Sequence, residues 1–345
     1  MENGNVNTGE PEAAARGSHP YDALKPEVVL DAVDSLGLVT DGRLLPLNSY
    51  ENRVYQVGIE EAEPIIAKFY RPERWTNAQI LEEHEFALEL AASEIPMVPP
   101  LERDGETLFE FQDFRFAIFP RRGGHAPELD NDDHLEWLGR FLARIHAVGS
   151  ARPFDNRPVL TDTSVARDSL AFLRDGGWLP DYLAENFVDA CERILERCDT
   201  ALTQSRAKLI RLHGDCHPGN ILWRDGPHFV DLDDCLTGPA IQDLWMLLSG
   251  ERLEREQQLW TLLDGYEEFH DFDPAEIQLI EPLRGLRMIN FIAWLARRWD
   301  DPAFPPAFPW FNSVKYWEEQ LNNLREQVDA LDEPSLRRHP YDPTP

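Results

Sequence analysis

Cysteine is scarce in this chain: four in 345 residues (Cys191, Cys198, Cys216 and Cys235), with no C-x-x-C pair. That is too few and too irregular for a disulfide framework, so a reducing, cytoplasmic setting is expected. Cys216 lies between His213 and His217, but the other cysteines have no ligand-like spacing and a zinc site is not expected. Long apolar runs are also missing. Leu244–Leu248 and Ile292–Ala296 fall far below the ~20 residues that a bilayer span needs. Basic side chains are in deficit, 33 against 63 acidic ones, for a formal charge of −30. A protein of that sign has no general affinity for phosphate backbones or anionic lipid, which argues against nucleic acid and membrane as partners. An anionic substrate would need a locally basic or metal-lined site. Residues 1–20 carry Glu2, Glu10 and Glu12 but neither the basic start nor the apolar stretch of a signal peptide. They read as a disordered acidic lead.

What is present suffices for substantial cores: 42% apolar residues and 10% aromatic ones, including ten Trp. A helical period closes on glycine between Pro26 and Gly37. Short strand-like runs follow at Leu44–Leu47, Arg53–Ile59, Ile65–Tyr70, Thr107–Phe111 and Phe114–Phe119. One strong helix, Thr76–Ala92, interrupts them. Beyond Arg121–Gly124 helices dominate: Asp130–Val148, two stretches within Arg167–Cys198, then Ile241–Leu248, Leu253–Phe269, Ala275–Trp299 with a kink expected at Pro282, and Val314–Leu331. Only the island from Leu209 to Asp234 returns to strands and polar turns. The expected fold class is α+β. A smaller lobe over 21–119 holds a mainly antiparallel sheet and one key helix, 120–124 form a hinge, and a larger helical lobe spans 125–345. A monomer is expected.

The island carries the chemistry. His213-Gly-Asp215-Cys-His217-Pro-Gly-Asn220 is followed by Phe229-Val-Asp231-Leu-Asp233-Asp234. Asp215 and Asn220 stand five apart, the separation found in the protein-kinase loop H-R-D-x-x-x-x-N. An Asp that accepts the acceptor hydroxyl's proton and an amide oxygen that ligates Mg²⁺ must come from one short loop facing the phosphoryl group. A second carboxylate must hold the metal, and Asp231 follows a short strand as the D-F-G aspartate does. Taken singly, the two motifs would read as polar turns capping strands. Taken together and in order, they read as a phosphotransferase, with Asp215 and Asp231 catalytic and Asn220 and Asp231 on Mg²⁺. His213 is expected to brace the loop, with Asp243 as a partner.

A nucleotide-binding lobe should then offer a lysine on a strand and a glutamate on the next helix. Lys68 sits in Ile65-Ile-Ala-Lys-Phe-Tyr70, and Glu82, Glu83 and Glu85 lie in the helix. Glu83 is the choice, one turn of rotation away from the others. No G-x-G-x-x-G occurs in the first hairpin, where Leu47-Asn-Ser-Tyr-Glu-Asn-Arg53 stands instead; Ser49 and its neighbouring amides are the candidates for the ATP phosphates. Gly214 replaces the arginine of H-R-D, and Asp231 to Pro239 is too short for a long activation segment. Control by loop phosphorylation is therefore not expected. Cys216, beside the base, is a redox candidate only if its thiol is exposed. Asp130–Trp137 and Asp264–Asp273, rich in carboxylates, are candidate walls for the acceptor.

The H-G-D-x-H-x-G-N and D-L-D-D pair resembles the aminoglycoside phosphotransferase and choline kinase superfamily. Longer strings, at Pro46–Gln56, Lys68–Trp75, Leu212–His217, Asn220–Pro227 and Gln242–Leu248, resemble the bacterial stress response kinase A family over about residues 25 to 315. That resemblance implies a protein-kinase-like two-lobed fold and a cytoplasmic, Mg-ATP-dependent serine/threonine protein kinase, tied to stress and to protection from programmed death. By position it implies Asp215 as proton acceptor, Asn220 and Asp231 as Mg²⁺ ligands, and Ser49 at the ATP. The short activation segment leans instead toward a small alcohol such as homoserine, choline or an aminoglycoside. A non-catalytic ATP-binding module is the remaining alternative, against which the intact Lys68, Asp215, Asn220 and Asp231 speak.

Overall fold

A computed structural model of the chain describes residues 20–339; all but Pro20 of the acidic lead expected over 1–20 lies outside them. Helix α1 (Pro26–Asp34) opens with proline in its first turn, where a missing N–H costs nothing. Strands β1 (Thr40–Pro46), β2 (Arg53–Ile59) and β3 (Ile65–Phe69) follow, then helix α2 (Asn77–Ala92), β4 (Phe109–Phe111) and β5 (Phe114–Pro120). They form one antiparallel sheet in the order β1-β2-β3-β5-β4. Val29, Ala32 and Val33 of α1 are buried in a core with Val57, Ala67, Phe69 and Phe116 of the sheet. β3 lies at the centre, and Lys68 is in register with Val54 on one side and Ala117 on the other.

α2 is started by a capping box, in which Thr76 and Gln79 satisfy each other's backbone N–H groups. Its Phe86 and Leu90 are buried in the core of the larger lobe, each contributing about 1.5–3 kcal/mol by leaving water. The helix is thus fixed to both lobes. Residues 121–124 connect the sheet to α3 (Asp132–Gly149), which packs on α7 (Arg252–Tyr266). That contact is close because Gly139 and Gly265 lack side chains: a Cβ on either would lie 2.1 or 2.2 Å from a carbonyl oxygen of the other helix. The polar island holds two small antiparallel pairs: β6 (Ile210–Leu212), which packs on α3, pairs with β9 (Leu236–Gly238), and between them in the chain β7 (Ile221–Trp223) and β8 (Pro227–Phe229) form a hairpin.

A second helical core gathers α4 (Ser164–Asp175), α5 (Ala184–Gln204), α8 (Ile280–Arg297) and α10 (Val314–Ala330), with a short α9 (Phe304–Ala307) beside them. The short α6 (Ile241–Trp245) leads from the island into α7, and its Ile241, Leu244 and Trp245 belong to the core around α3 and α7. The single helix expected over Ala275–Trp299 is two pieces, a 3-10 turn at Pro274–Leu279 and then α8. Pro282 produces no mid-helix kink because it falls in the first turn of α8, where its N–H has no helical partner to lose. No helix among the described residues is long and apolar enough to cross a membrane.

Candidate active site

The loop between β6 and β7 is shaped by one buried carboxylate. Asp243, in the first turn of α6, is fully buried and accepts the backbone N–H groups of His213 and Gly214, each at 2.8 Å. His146 Nε2 lies 3.1 Å from it, and His146 Nδ1 is 2.9 Å from the Tyr266 hydroxyl. Gly214 takes φ +85°, and a Cβ there would stand 2.2 Å from the Asp234 carbonyl oxygen. This is why the arginine of H-R-D has no place in this loop. The expected link between His213 and Asp243 runs through the backbone; the His213 ring instead meets the Val230 carbonyl, at 3.0 Å from Nε2.

Asp215 follows, with Asn220 closing the turn by donating its Nδ2 to the Asp215 carbonyl at 3.0 Å. That bond leaves Asn220 Oδ1 as the atom to face a ligand. Arg287 of α8 places Nη1 2.5 Å from Asp215 Oδ1, and His217 Nε2 lies 3.5 Å from Oδ2. Burial works against a charge on Asp215, but Arg287 and His217 outweigh it and hold the carboxyl below its ordinary range. His217 Nδ1 accepts the Gly219 N–H at 2.9 Å, so in the neutral ring the proton sits on Nε2, on the side of Asp215.

Lys68 Nζ stands among three carboxylates: Asp231 Oδ1 at 2.9 Å, Asp233 Oδ1 at 3.2 Å and Glu83 Oε1 at 3.3 Å. Burial disfavours its charge, yet these carboxylates hold the ammonium well above its ordinary pKa. Glu83 is the helix glutamate at Lys68. Glu82 instead accepts the backbone N–H groups of Asp155, Asn156 and Arg157, and Glu85 is exposed beside Arg152. Arg74 binds both Asp233 and Asp234; Asp231 and Asp234 are both half-exposed, and of these two Asp231 is the one paired with Lys68. Asp231 takes φ +62°, a strained conformation for a residue with a side chain. One of its oxygens is on Lys68. Asp231 and Asn220 thus present oxygen donors, the kind that suits a hard cation sharing its shell with water and phosphate.

Ser49 lies in the β1–β2 loop, its hydroxyl donating to the Asn52 carbonyl at 3.1 Å. The loop is fastened to the larger lobe. Glu51 accepts from Trp294 Nε1 at 2.7 Å and from Arg298 Nη2 at 2.7 Å, and Arg71 Nε is 3.0 Å from Glu51 Oε1. Arg53 and Arg71 both pair with Asp301, at 2.7 Å. Tyr50 packs on Phe308, Phe304 and Trp294. Sequence reasoning missed Arg287, Arg74, Asp301 and this clamp, because their cross-lobe and cross-loop partners lie from 72 to 248 residues away and no local pattern announces them. Cys216 is fully buried and burial pushes its thiol well up, so the condition set for a redox role is not met. The two acidic segments pair with each other, Arg140 bridging Glu136 and Glu268. The group that reaches Asp215 comes from α8 instead.

The family model described as phosphotransferase enzyme family matches residues 43–280. Stress response kinase A of Escherichia coli K12 is 47% identical over 320 residues, covering 93% of this chain and 97% of that protein. The serine/threonine protein kinase RdoA of Salmonella typhimurium matches to the same extent. Among solved structures, amicoumacin kinase hAmiN in complex with AMP-PNP, Ca²⁺ and Ami superposes with a TM-score of 0.69 at 18% identity, over 90% of this chain and 94% of that one. A microcompartment-associated aminopropanol kinase gives 0.68 at 16%, over 89% and 97%. With a carboxylate loop, a strand lysine and a helix glutamate assembled in a two-lobed fold of this kind, the chain belongs to the phosphotransferase enzyme family and, within it, to the stress response kinases.

Proposed function

We propose that this kinase transfers the γ-phosphoryl group of Mg-ATP to Ser or Thr hydroxyls of proteins, in the cytoplasm and in response to stress. The observation that carries the reading is the convergence of Lys68, Glu83 and Asp231 from three distant segments, next to a loop in which Asn220 is tied to Asp215. Asp215 takes the acceptor hydroxyl's proton as the new O–P bond forms and ADP departs. Lys68 orients the phosphates, Glu83 orients Lys68, and Ser49 with its neighbouring amides covers the phosphate tail. Asn220 Oδ1 and the free oxygen of Asp231 are the groups that would hold Mg²⁺, which neutralises phosphate charge when bound. The adenine end lies toward the connection at 120–124, between a lobe over 21–119 and one over 125–339. A protein acceptor is supported by the name of one relative, serine/threonine protein kinase RdoA.

One observation favours a small alcohol as acceptor. A single 3-10 turn, Leu232–Asp234, separates Asp231 from β9, leaving no long segment on which a peptide could dock. Incubation with Mg-ATP and a general protein substrate decides between them. Labelling on Ser or Thr is expected, lost by at least ~100-fold in Asp215→Asn, which keeps ATP binding; Asp231→Ala should weaken Mg-ATP binding itself. Near-wild-type turnover in Asp215→Asn would remove the assignment of the base. Labelling of small alcohols alone would remove the protein acceptor.

A further inference from the structure

With Asp215 read as the proton acceptor, the cation beside it has no role in the machinery above. Arg287 makes no other hydrogen bond or ion pair among the described residues, and its side chain is 42% exposed. The helix that carries it is out of keeping with the chain. From Ile280 to Arg298 there are Arg284, Arg287, Arg297 and Arg298 against one acid, Glu281, whereas the whole chain has 33 basic and 63 acidic side chains. Arg298 is bound to Glu51 and Arg284 lies 3.6 Å from Glu281. Among the described residues Arg297 meets the Asp168 carbonyl and the Phe172 ring, and Arg287 pairs with Asp215 alone.

An acceptor hydroxyl that approaches Asp215 competes with the guanidinium for Oδ1, because Oδ2 is faced by His217 Nε2 at 3.5 Å. Asp215 is partly buried whereas Arg287 is 42% exposed, so Arg287 is the member of the pair with room to swing aside. The released guanidinium then stands beside the acceptor and needs a counter-anion. One turn further along α8, Phe291 is 42% exposed and stacks on Trp294 at 5.6 Å, and Trp294 holds the β1–β2 loop through Glu51. The helix forms one wall from the base to that loop, cationic at the base end and aromatic beyond it.

We propose that Arg287 is a specificity-determining residue that binds an anionic group of the acceptor, so that the enzyme selects Ser or Thr flanked by a carboxylate side chain. This rests on the protein-acceptor reading above. The planar guanidinium matches a carboxylate through paired N–H donors. The selection is local, since charges beyond a Debye length of roughly 8–10 Å are screened and the acidic surface does not decide it.

The test uses matched Ser peptides, with Glu or Gln beside the serine, on the full chain and on Arg287→Ala and Arg287→Lys, each checked for folding by thermal melting. The expected result is a KM about tenfold lower for the Glu peptide, as a charged hydrogen-bonded pair supplies. That preference should vanish in Arg287→Ala and survive in part in Arg287→Lys. Equal KM values in the wild type, or a preference that persists in Arg287→Ala, would overturn it. So would an equal fall in kcat for both peptides with the preference intact, which would put Arg287 on the transferring phosphoryl group. If the wild type labelled neither peptide yet phosphorylated a small alcohol, the protein-acceptor reading would fall with it. Equal labelling of both peptides leaves that reading standing.

Discussion

At the scale of single residues, two backbone conformations carry the site. Gly214 holds the Asp215 loop against the Asp234 carbonyl, and any Cβ there meets both a positive φ and an oxygen at 2.2 Å. Gly214→Ala should therefore cost more than about 2 kcal/mol, from left-handed backbone strain and overpacking together. Thermal or urea unfolding of the purified variant measures this; an unchanged midpoint would show that the loop adapts freely. Asp231 is the second case, a side-chain-bearing residue held at φ +62° by its neighbours. Strain of this kind gathers where a group must be aimed, and here it puts one carboxylate oxygen on Lys68.

At the scale of elements, α2 and α8 are the two levers. The first brings Glu83 to Lys68 and packs its far end into the larger lobe. The second brings Arg287 to Asp215 and, at its other end, fastens the β1–β2 loop through Trp294 and Arg298. Burial raises the cost of the Glu51 charge, but Arg298 and Arg74 more than offset it and keep the carboxyl below its ordinary range. A carboxyl depressed in the folded state stabilises it above its unfolded pKa, and that contribution fades as pH falls through the lower folded value. The clamp should be intact at neutral pH and weaken below about pH 4.5, the ordinary glutamate value. Glu51→Ala leaves several guanidinium groups without their carboxylate and should cost roughly 3 kcal/mol. Hydrogen exchange at 47–53 should quicken in that variant at pH 7, more than elsewhere in the sheet. Uniform exchange across the sheet would show that the loop is held by Tyr50 packing instead.

For the molecule as a whole, a formal charge of −30 means that folding gathers like charges. Self-repulsion of this kind opposes the compact state and is screened by salt. The ion pairs of the clamp and of Lys68 are largely shielded from solvent and respond less. Raising the ionic strength from roughly 50 to 500 mM should thus raise the melting temperature by a few degrees rather than lower it. A fall would mean that exposed pairs such as Arg197–Asp332 and Arg174–Asp175 contribute more than surface pairs usually do.

The sequence by itself determined the features that depend on short spacing or on local periodicity. The five strands of the sheet, the long helices and the pairing of Asp215 with Asn220 on one loop were legible because strand alternation, helical period and a fixed loop offset are all local. The edges blurred where signals were short: β9, of three residues, and α9, begun by prolines, offer too few positions for a period to register. Which of Glu82, Glu83 and Glu85 meets Lys68 was not a sequence question, since adjacent helix positions differ by a rotation that only packing of α2 against both lobes settles. The same holds for Arg287, Arg74 and the Glu51 clamp. Each joins segments far apart in the chain, so their meeting depends on how the lobes pack, and no residue pattern within a window could disclose it.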